Sequence, residues 1–280
     1  MKNSAIEWTD HTFNPWIGCS KVSTGCENCY AETLNNRMKW TQWGPGGQRF
    51  RTGQNNWNEP IRWNAAARKA REAHEGPEIR QPGDAFNQLP ETPYRRPRVF
   101  CASLADWLDD KVPTGWRRDL LSLIEKTPEL DWLLLTKRPQ NWAKMIFDIA
   151  TNQSGLASEW LAGRPPANVW LGVSAEDQIR WDKRVPRLLE IPARVRFVSA
   201  EPLIGPIIMG KSLPDWVIVG GESGPGAREI AEPWVRSLRQ ESADRGVAFF
   251  FKQWGGTNKK ETGRELDGLT FSAIPNPNTR

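Results

Sequence analysis

Residues 132–137 read WLLLTK and residues 169–174 read VWLGVS. Each is an almost unbroken apolar run that ends in a polar residue. A strand with one face in water alternates apolar and polar side chains, so an unbroken run fits a strand covered on both faces, as in a parallel sheet. The same form returns in RVFCAS (98–103), RFVSAE (196–201), WVIVGGE (216–222) and AFFFKQ (248–253). Between the runs lie helix-like segments. TGWRRDLLSLIEK (114–126) opens on a Thr cap and gathers Leu120, Leu121, Leu123 and Ile124 toward one side before Pro128 stops it. Residues 140–150 and 178–190 read as helices as well, the second with Pro186 placed to kink or interrupt it. EPWVRSLRQESADR (232–245) has Pro233 near its start and Gly246 just past its end, the expected asymmetry of a helix. Alternation of this kind predicts an α/β fold, and right-handed crossovers then build either a doubly wound sheet or a barrel.

Upstream, IEWTDHTFNPWIG (6–18) supplies one more candidate strand. Residues 37–97 are rich in Gly, Pro, Asn, Arg and Trp, with one good helical pattern at 60–73, and hold too few apolar residues for a core of their own. They read as an elaboration between the first and second strands. The segment 255–280 is polar and reads as a surface tail. A single domain over residues 1–280 is therefore expected.

The chain carries 38 Lys and Arg against 33 Asp and Glu, a net charge of +5. That balance tolerates a polyanionic partner and equally suits an ordinary solvated surface. No window holds the roughly 18 uninterrupted apolar residues of a membrane span, and the N-terminus has no apolar signal region, so the expected location is the cytoplasm. Sixteen tryptophans stand against two tyrosines. Trp132, Trp170 and Trp216 fall in strand or helix patterns and read as core. Trp40, Trp43, Trp57 and Trp63 lie in the polar, Arg-containing region, where rings could stack on bases.

Three of the four cysteines fall in GCSKVSTGCENCYAE (18–32), with the spacing C-x6-C-x2-C at Cys19, Cys26 and Cys29. In a reducing compartment these are thiols available for ligation rather than disulfides. Gly18 and Gly25 let the backbone fold tightly around an inorganic centre. Structural zinc takes four closed ligands, so Cys101 or His11 would have to complete the set. A 4Fe-4S cluster can be held through three irons, leaving the fourth open. Cys101 shares a strand face with Val99 and reads as a small buried hydrophobe. His74, the other histidine, reads as a surface residue.

Each expected strand ends in polar residues: Ser103 with Asp106, Thr136 with Lys137 and Arg138, Ser174 with Glu176, Ser199 with Glu201, Glu222 with Ser223, and Lys252 with Gln253. Strand ends meet solvent and cap helices in any α/β protein, but in barrels they are also where function gathers. Carboxylates there can accept hydrogen bonds from ribose hydroxyls or an ammonium, and Lys137 or Arg138 can pair with a carboxylate. The run GGESGPGARE (220–229) lacks the Lys-Ser/Thr of a phosphate loop, and no GxGxxG occurs. Two histidines so placed support no Ser/His/Asp arrangement.

A cysteine triplet after the first strand, followed by serial βα units, resembles the radical S-adenosylmethionine superfamily. More narrowly, IEWTDHTFNPWIGCSKVSTGCENCYAE with LLLTKRP, WLGVSAE, FVSAEPL, VIVGGESGPGARE and FKQWGG is similar to its bacteriophage-type, three-cysteine-motif family, across most of residues 6–256. The common superfamily spacing is C-x3-C-x2-C with an aromatic before the last cysteine; here the first gap is six residues and Tyr30 follows the last. The resemblance implies a partial (β/α) barrel of six or seven parallel strands. It implies a 4Fe-4S cluster on Cys19, Cys26 and Cys29, and S-adenosylmethionine cleaved to a 5′-deoxyadenosyl radical. Because the cofactor carries the hard chemistry, the protein positions, tunes and excludes water.

By their place at strand ends, Ser103, Lys137, Ser174, Glu176, Glu201 and Glu222 are the candidates for holding S-adenosylmethionine. The superfamily often uses a Gly-Gly-Glu segment after an early strand; here Gly220, Gly221 and Glu222 lie on a late one, so Glu222 stands on position alone. No residue is assigned a catalytic role. The expected partners are an external electron donor, a DNA or RNA substrate modified or repaired at a base, and an auxiliary protein. The alternative reading is a non-enzymatic, zinc-stabilised nucleic-acid-binding protein.

Overall fold

The computed structural model describes residues 4, 6–76, 93–150 and 155–277. Among the described residues the strands are β1 (His11–Thr12), β2 (Trp16–Ile17), β3 (Phe50–Arg51), β4 (Arg98–Cys101), β5 (Asp131–Thr136), β6 (Val169–Ser174), β7 (Val195–Ala200), β8 (Trp216–Gly220) and β9 (Ala248–Gln253). The helices are α1 (Tyr30–Met38), α2 (Gln54–Glu75), α3 (Thr114–Glu125), α4 (Trp142–Ala150), α5 (Gly155–Leu161), α6 (Gln178–Glu190), α7 (Glu232–Asp244) and α8 (Lys259–Thr262). Seven strands form one sheet in the order β1-β4-β5-β6-β7-β8-β9, every neighbouring pair parallel. Each strand is added beside the one before it in the chain, with no reversal, which is the order of a barrel and not of a doubly wound sheet. β2 and β3 make a separate antiparallel pair.

The sheet is curled. Phe100 on β4 and Trp216 on β8 are four strand spacings apart, about 19 Å in a flat sheet. Yet both touch the ring of Trp8, at centroid distances of 4.7 and 6.2 Å. The concave face is filled by a mostly aromatic cluster of Trp8, Phe100, Leu133, Trp170, Phe197, Trp216, Ile218 and Phe250. Gly172 has no side chain because the Phe197 ring occupies its place: a Cβ there would sit 2.3 Å from that ring. Alternate strand residues, among them Val99, Cys101, Trp132, Leu134, Leu171, Val173, Val217, Val219 and Phe251, face outward into the larger core shared with α3, α4, α6 and α7. This double covering is why the strand sequences read as unbroken apolar runs.

Several expectations are corrected. Trp57 and Trp63 are buried in that larger core, and Trp63 stacks on His11 at 4.4 Å, so neither offers a free ring face to a base. Together with Ala67 they make α2 part of the barrel's packing. α2 also begins earlier than expected, at Gln54, and Pro60 lies inside it. Pro186 does not interrupt α6, since Asp182, whose carbonyl it leaves without an amide partner, is exposed to water. No helix connects β7 to β8. The polar tail is not wholly superficial: Leu266 is buried, and residues around Ser272 pair antiparallel with β9 through Phe251 N–H to Phe271 O and Ala273 N–H to Phe249 O. Residues 77–92 of the expected elaboration and 278–280 of the tail lie outside the described residues. Among the described residues, no helix is long and apolar enough to cross a membrane.

Candidate functional site at the C-terminal ends of the strands

β1 and β2 deliver the chain to the cysteine loop at the end of the barrel where the parallel strands finish. Gly18 turns it there with φ of 112°, a conformation that favours glycine, and its N–H bonds Leu104 O at 3.1 Å. A short 3-10 turn covers Thr24–Cys26, and Cys29 is the N-cap residue of α1. Loop and barrel are joined at three places.

The first join is Arg138, just past β5. Its guanidinium donates to Ser20 O at 2.9 Å, to Asp106 Oδ2 at 2.8 Å and to Cys19 Sγ at 3.6 Å. Arg49, in a fully buried ion pair with Asp109, donates to Ser20 Oγ beside it. The second join is Glu176, just past β6 and fully buried, which accepts from Ser23 Oγ at 2.6 Å. Lys137 stands 3.1 Å and Arg184 2.7 Å from the same carboxylate. Burial opposes ionisation of Glu176, but the two cations and Ser23 outweigh it and hold the carboxyl below the usual glutamate range. The third join is Glu222, just past β8. It accepts from Asn28 Nδ2 at 2.9 Å and from Arg228, whose guanidinium also reaches Thr24 O and Glu27. Burial again opposes ionisation, and Arg228 and Asn28 reverse the balance, so this carboxyl too is held low.

The six strand-end candidates therefore lie at one end of the barrel, but in different roles. Glu176 and Glu222 grip the loop. Glu201 pairs with Lys252 across the strand ends. Ser174 is buried and lends its carbonyl to Arg184. Ser103 bonds Asn14 through its hydroxyl and accepts the Tyr30 hydroxyl at its carbonyl, at 2.6 Å. Ser23, Asn28, Arg184 and Arg228 escaped the sequence reading, because each meets its partner only through the fold or lacks a motif.

The loop thiols differ in their polar neighbours. Cys19 accepts from Arg138; Cys26 lies 3.7 Å from Ser23 Oγ, whose own proton goes to Glu176; Cys29 stands at the start of α1 near the amides of Ala31 and Glu32 but makes no side-chain capping bond. Cys19 retains some exposed surface but is ringed by protein. Burial, with Asp106 adding to it and Arg138 opposing, pushes its thiol up to about 12. Burial likewise raises Cys29, against the two amides. Without a metal, these two thiols keep their protons at neutral pH. Cys101 is fully buried and its thiol is raised by burial alone.

Among the described residues, no group of three or more His, Cys, Asp and Glu side chains stands in position to hold an ion. The three sulfurs are thus near one another in sequence without converging on a common centre, and neither His11 nor Cys101 completes a set with them. His11 instead lines a cavity of about 410 Å³ with Trp63, Arg62, Tyr94 and Pro97.

Gly25 shows how closely the loop is seated. A Cβ on it would lie 2.2 Å from Glu176 Cγ, where no real contact occurs. Gly25→Ala is expected to displace the Glu176 side chain or the loop, and hydrogen exchange of amides 20–29 should rise at least tenfold over wild type. Unchanged protection would mean that Glu176 can give way without cost.

Fold and loop together define a partial parallel (β/α) barrel whose strand ends carry a seated three-cysteine loop. The chain belongs to the family described as "Protein of unknown function (DUF5131)", whose model matches residues 3–275. No curated protein and no solved structure matches it.

Proposed function

We propose that the chain is a radical S-adenosylmethionine enzyme in which Cys19, Cys26 and Cys29 hold a 4Fe-4S cluster. The observation that carries the reading is the placement of the cysteines: Cys19, Cys26 and Cys29 share one loop seated at the strand ends by Arg138, Glu176 and Glu222, with the Arg138 guanidinium on Cys19 Sγ, whereas Cys101 lies apart in the apolar core. Iron binds the thiolate form, which a metal at the sulfurs favours. The donor set suits the cluster in kind, being three soft ligands with no fourth residue gathered to them, and convergence of the sulfurs would accompany loading. When bound, such a cluster with one iron free of cysteine supplies the electron that breaks a carbon–sulfur bond of S-adenosylmethionine.

The chain's own groups then have definable tasks. Glu176, Glu222 and Arg138 hold the loop against the barrel. Lys137 and Lys252, with Ser174 and Ser199 in register on neighbouring strands, line the strand ends where a zwitterionic ligand would meet charge of either sign. Reduction requires an electron donor from outside the chain. A nucleic-acid substrate keeps the support of the net positive charge and of the half-buried Trp40 and Trp43, and loses that of Trp57 and Trp63.

Anaerobic reconstitution tests the reading. Wild type should take up about four iron and four sulfide per chain, Cys26→Ala should lose nearly all of both, and Cys101→Ala should keep them. Equal loss in Cys101→Ala, or one tightly held zinc with no iron, would overturn it, the latter in favour of a zinc-stabilised binding protein.

A further inference from the structure

We propose that the floor of the barrel, at the end away from the cysteine loop, holds a small inorganic anion of the phosphate class on Arg98. The site stands apart from the loop and from any metal held there. Arg98 opens β4 and shares the concave face with Phe100, since Val99 and Cys101 turn to the outer core. It is 6% exposed, and its Nε and Nη1 are buried without a hydrogen-bond partner. Among the described residues no other arginine has buried nitrogens left in that condition. A cation taken out of water needs acceptors around it, and a guanidinium can only donate.

The bland account is that Asp10 neutralises Arg98. That carboxylate is already engaged: its two oxygens accept from Arg95 at 2.8 and 2.9 Å, and Oδ2 also accepts from the Arg98 amide. Its distance to Arg98 Nε is 3.7 Å, too long for a hydrogen bond. Asp131, in register with Arg98 on β5, stands 3.6 Å from Arg96, and burial pushes its carboxyl up to about 6. Arg95, Arg96 and Arg98, with Arg194 also acting on Asp131, thus outnumber the two acids at this end of the sheet. The floor adds further donors. Trp8, Trp170 and Trp216 belong to the cluster that fills the concave face, and their buried indole N–H groups have no acceptor. Indoles in the same state occur elsewhere, at Trp57 and Trp107, so these three count only in the company of Arg98. A cleft of about 230 Å³, lined by Arg194, Val195, Asp215 and Ala248 among others, opens beside the same cluster. Surplus positive charge and donors without acceptors suit a ligand that is anionic and accepts only.

Calorimetric titration of the full chain with inorganic phosphate, in a bulky sulfonate buffer at fixed ionic strength, tests the site. Wild type should bind phosphate saturably, and Arg98→Met should bind it about tenfold more weakly, the worth of hydrogen bonds to a charged group. Urea unfolding separates this from the bland account. Phosphate should raise the wild-type midpoint and leave that of Arg98→Met in place, so that the gap between them widens as phosphate is added. A gap that stays constant would mean that Asp10 is partner enough and would overturn the proposal. Should Arg98→Met fail to fold, Arg98→Lys keeps the charge without the planar fork and should still bind phosphate more weakly than wild type. Absence of phosphate binding in wild type, or equal affinity in whichever variant folds, would also overturn it. Chloride should bind more weakly than phosphate; equal affinity would overturn the assignment of the anion's class.

Discussion

Glu176→Ala is expected to lower the unfolding free energy by about 3–5 kcal/mol, the range for removing one member of a buried charge pair. The carboxylate is fully buried and faces two cations, Lys137 at 3.1 Å and Arg184 at 2.7 Å, with the Ser23 hydroxyl on the same oxygen as Lys137. Removing it leaves Arg184, 5% exposed at its side chain, without a counter-charge, and releases the middle of the cysteine loop. Denaturant unfolding followed by tryptophan fluorescence measures the first effect and iron uptake the second. A loss under 1 kcal/mol would mean that water reaches the cations and that Glu176 is no anchor. The same carboxyl makes a pH prediction. Its folded pKa is depressed, so its contribution is present above the unfolded value of about 4.3 and is lost as pH falls through the folded value. Wild type and Glu176→Gln should therefore converge in stability as acid is added. A constant gap down to pH 2 would contradict this.

Trp216→Ala should cost about 3–5 kcal/mol, from lost burial and the cavity left behind. The indole is fully buried at the centre of the concave face and meets Trp8, Trp170, Phe197 and Phe250 at centroid distances of 5.9–6.2 Å, all tilted or edge-on. Those four rings come from the N-terminal segment and from β6, β7 and β9, so the cavity would open where the curl of the sheet is fixed. Loss of near-ultraviolet circular dichroism at lower denaturant than in wild type is the expected signal. A midpoint unchanged from wild type would show that the neighbouring rings collapse into the space.

The strands were legible because burial on both faces leaves a mark in the chain itself: WLLLTK and VWLGVS differ from the observed β5 and β6 by at most one residue at either end. The three-cysteine loop was legible from spacing, and the strand-end position of Lys137, Glu176 and Glu222 from the alternation of elements. What those residues touch was not. Ser23 and Glu176 are 153 residues apart and Asn28 and Glu222 194, and no local pattern encodes such pairings. The tryptophans misled for a related reason. Trp57 and Trp63 sit among Asn, Glu and Arg because α2 is polar over most of its length and buries only a narrow stripe, Trp57, Pro60, Trp63 and Ala67, and polarity of the neighbours in sequence says nothing of which way a helix turns its rings.

The pairing of the tail along β9 matters for association between copies as much as for the fold. β9 is the last member of an incompletely closed sheet, and the Phe249–Phe251 backbone would otherwise present donors and acceptors to any strand that came by. Residues 271–273 occupy that ladder from within the same molecule. Shortening the chain to remove them would bare a sticky flank of phenylalanine-rich backbone, and self-templating between copies, rather than simple unfolding, is the hazard that follows.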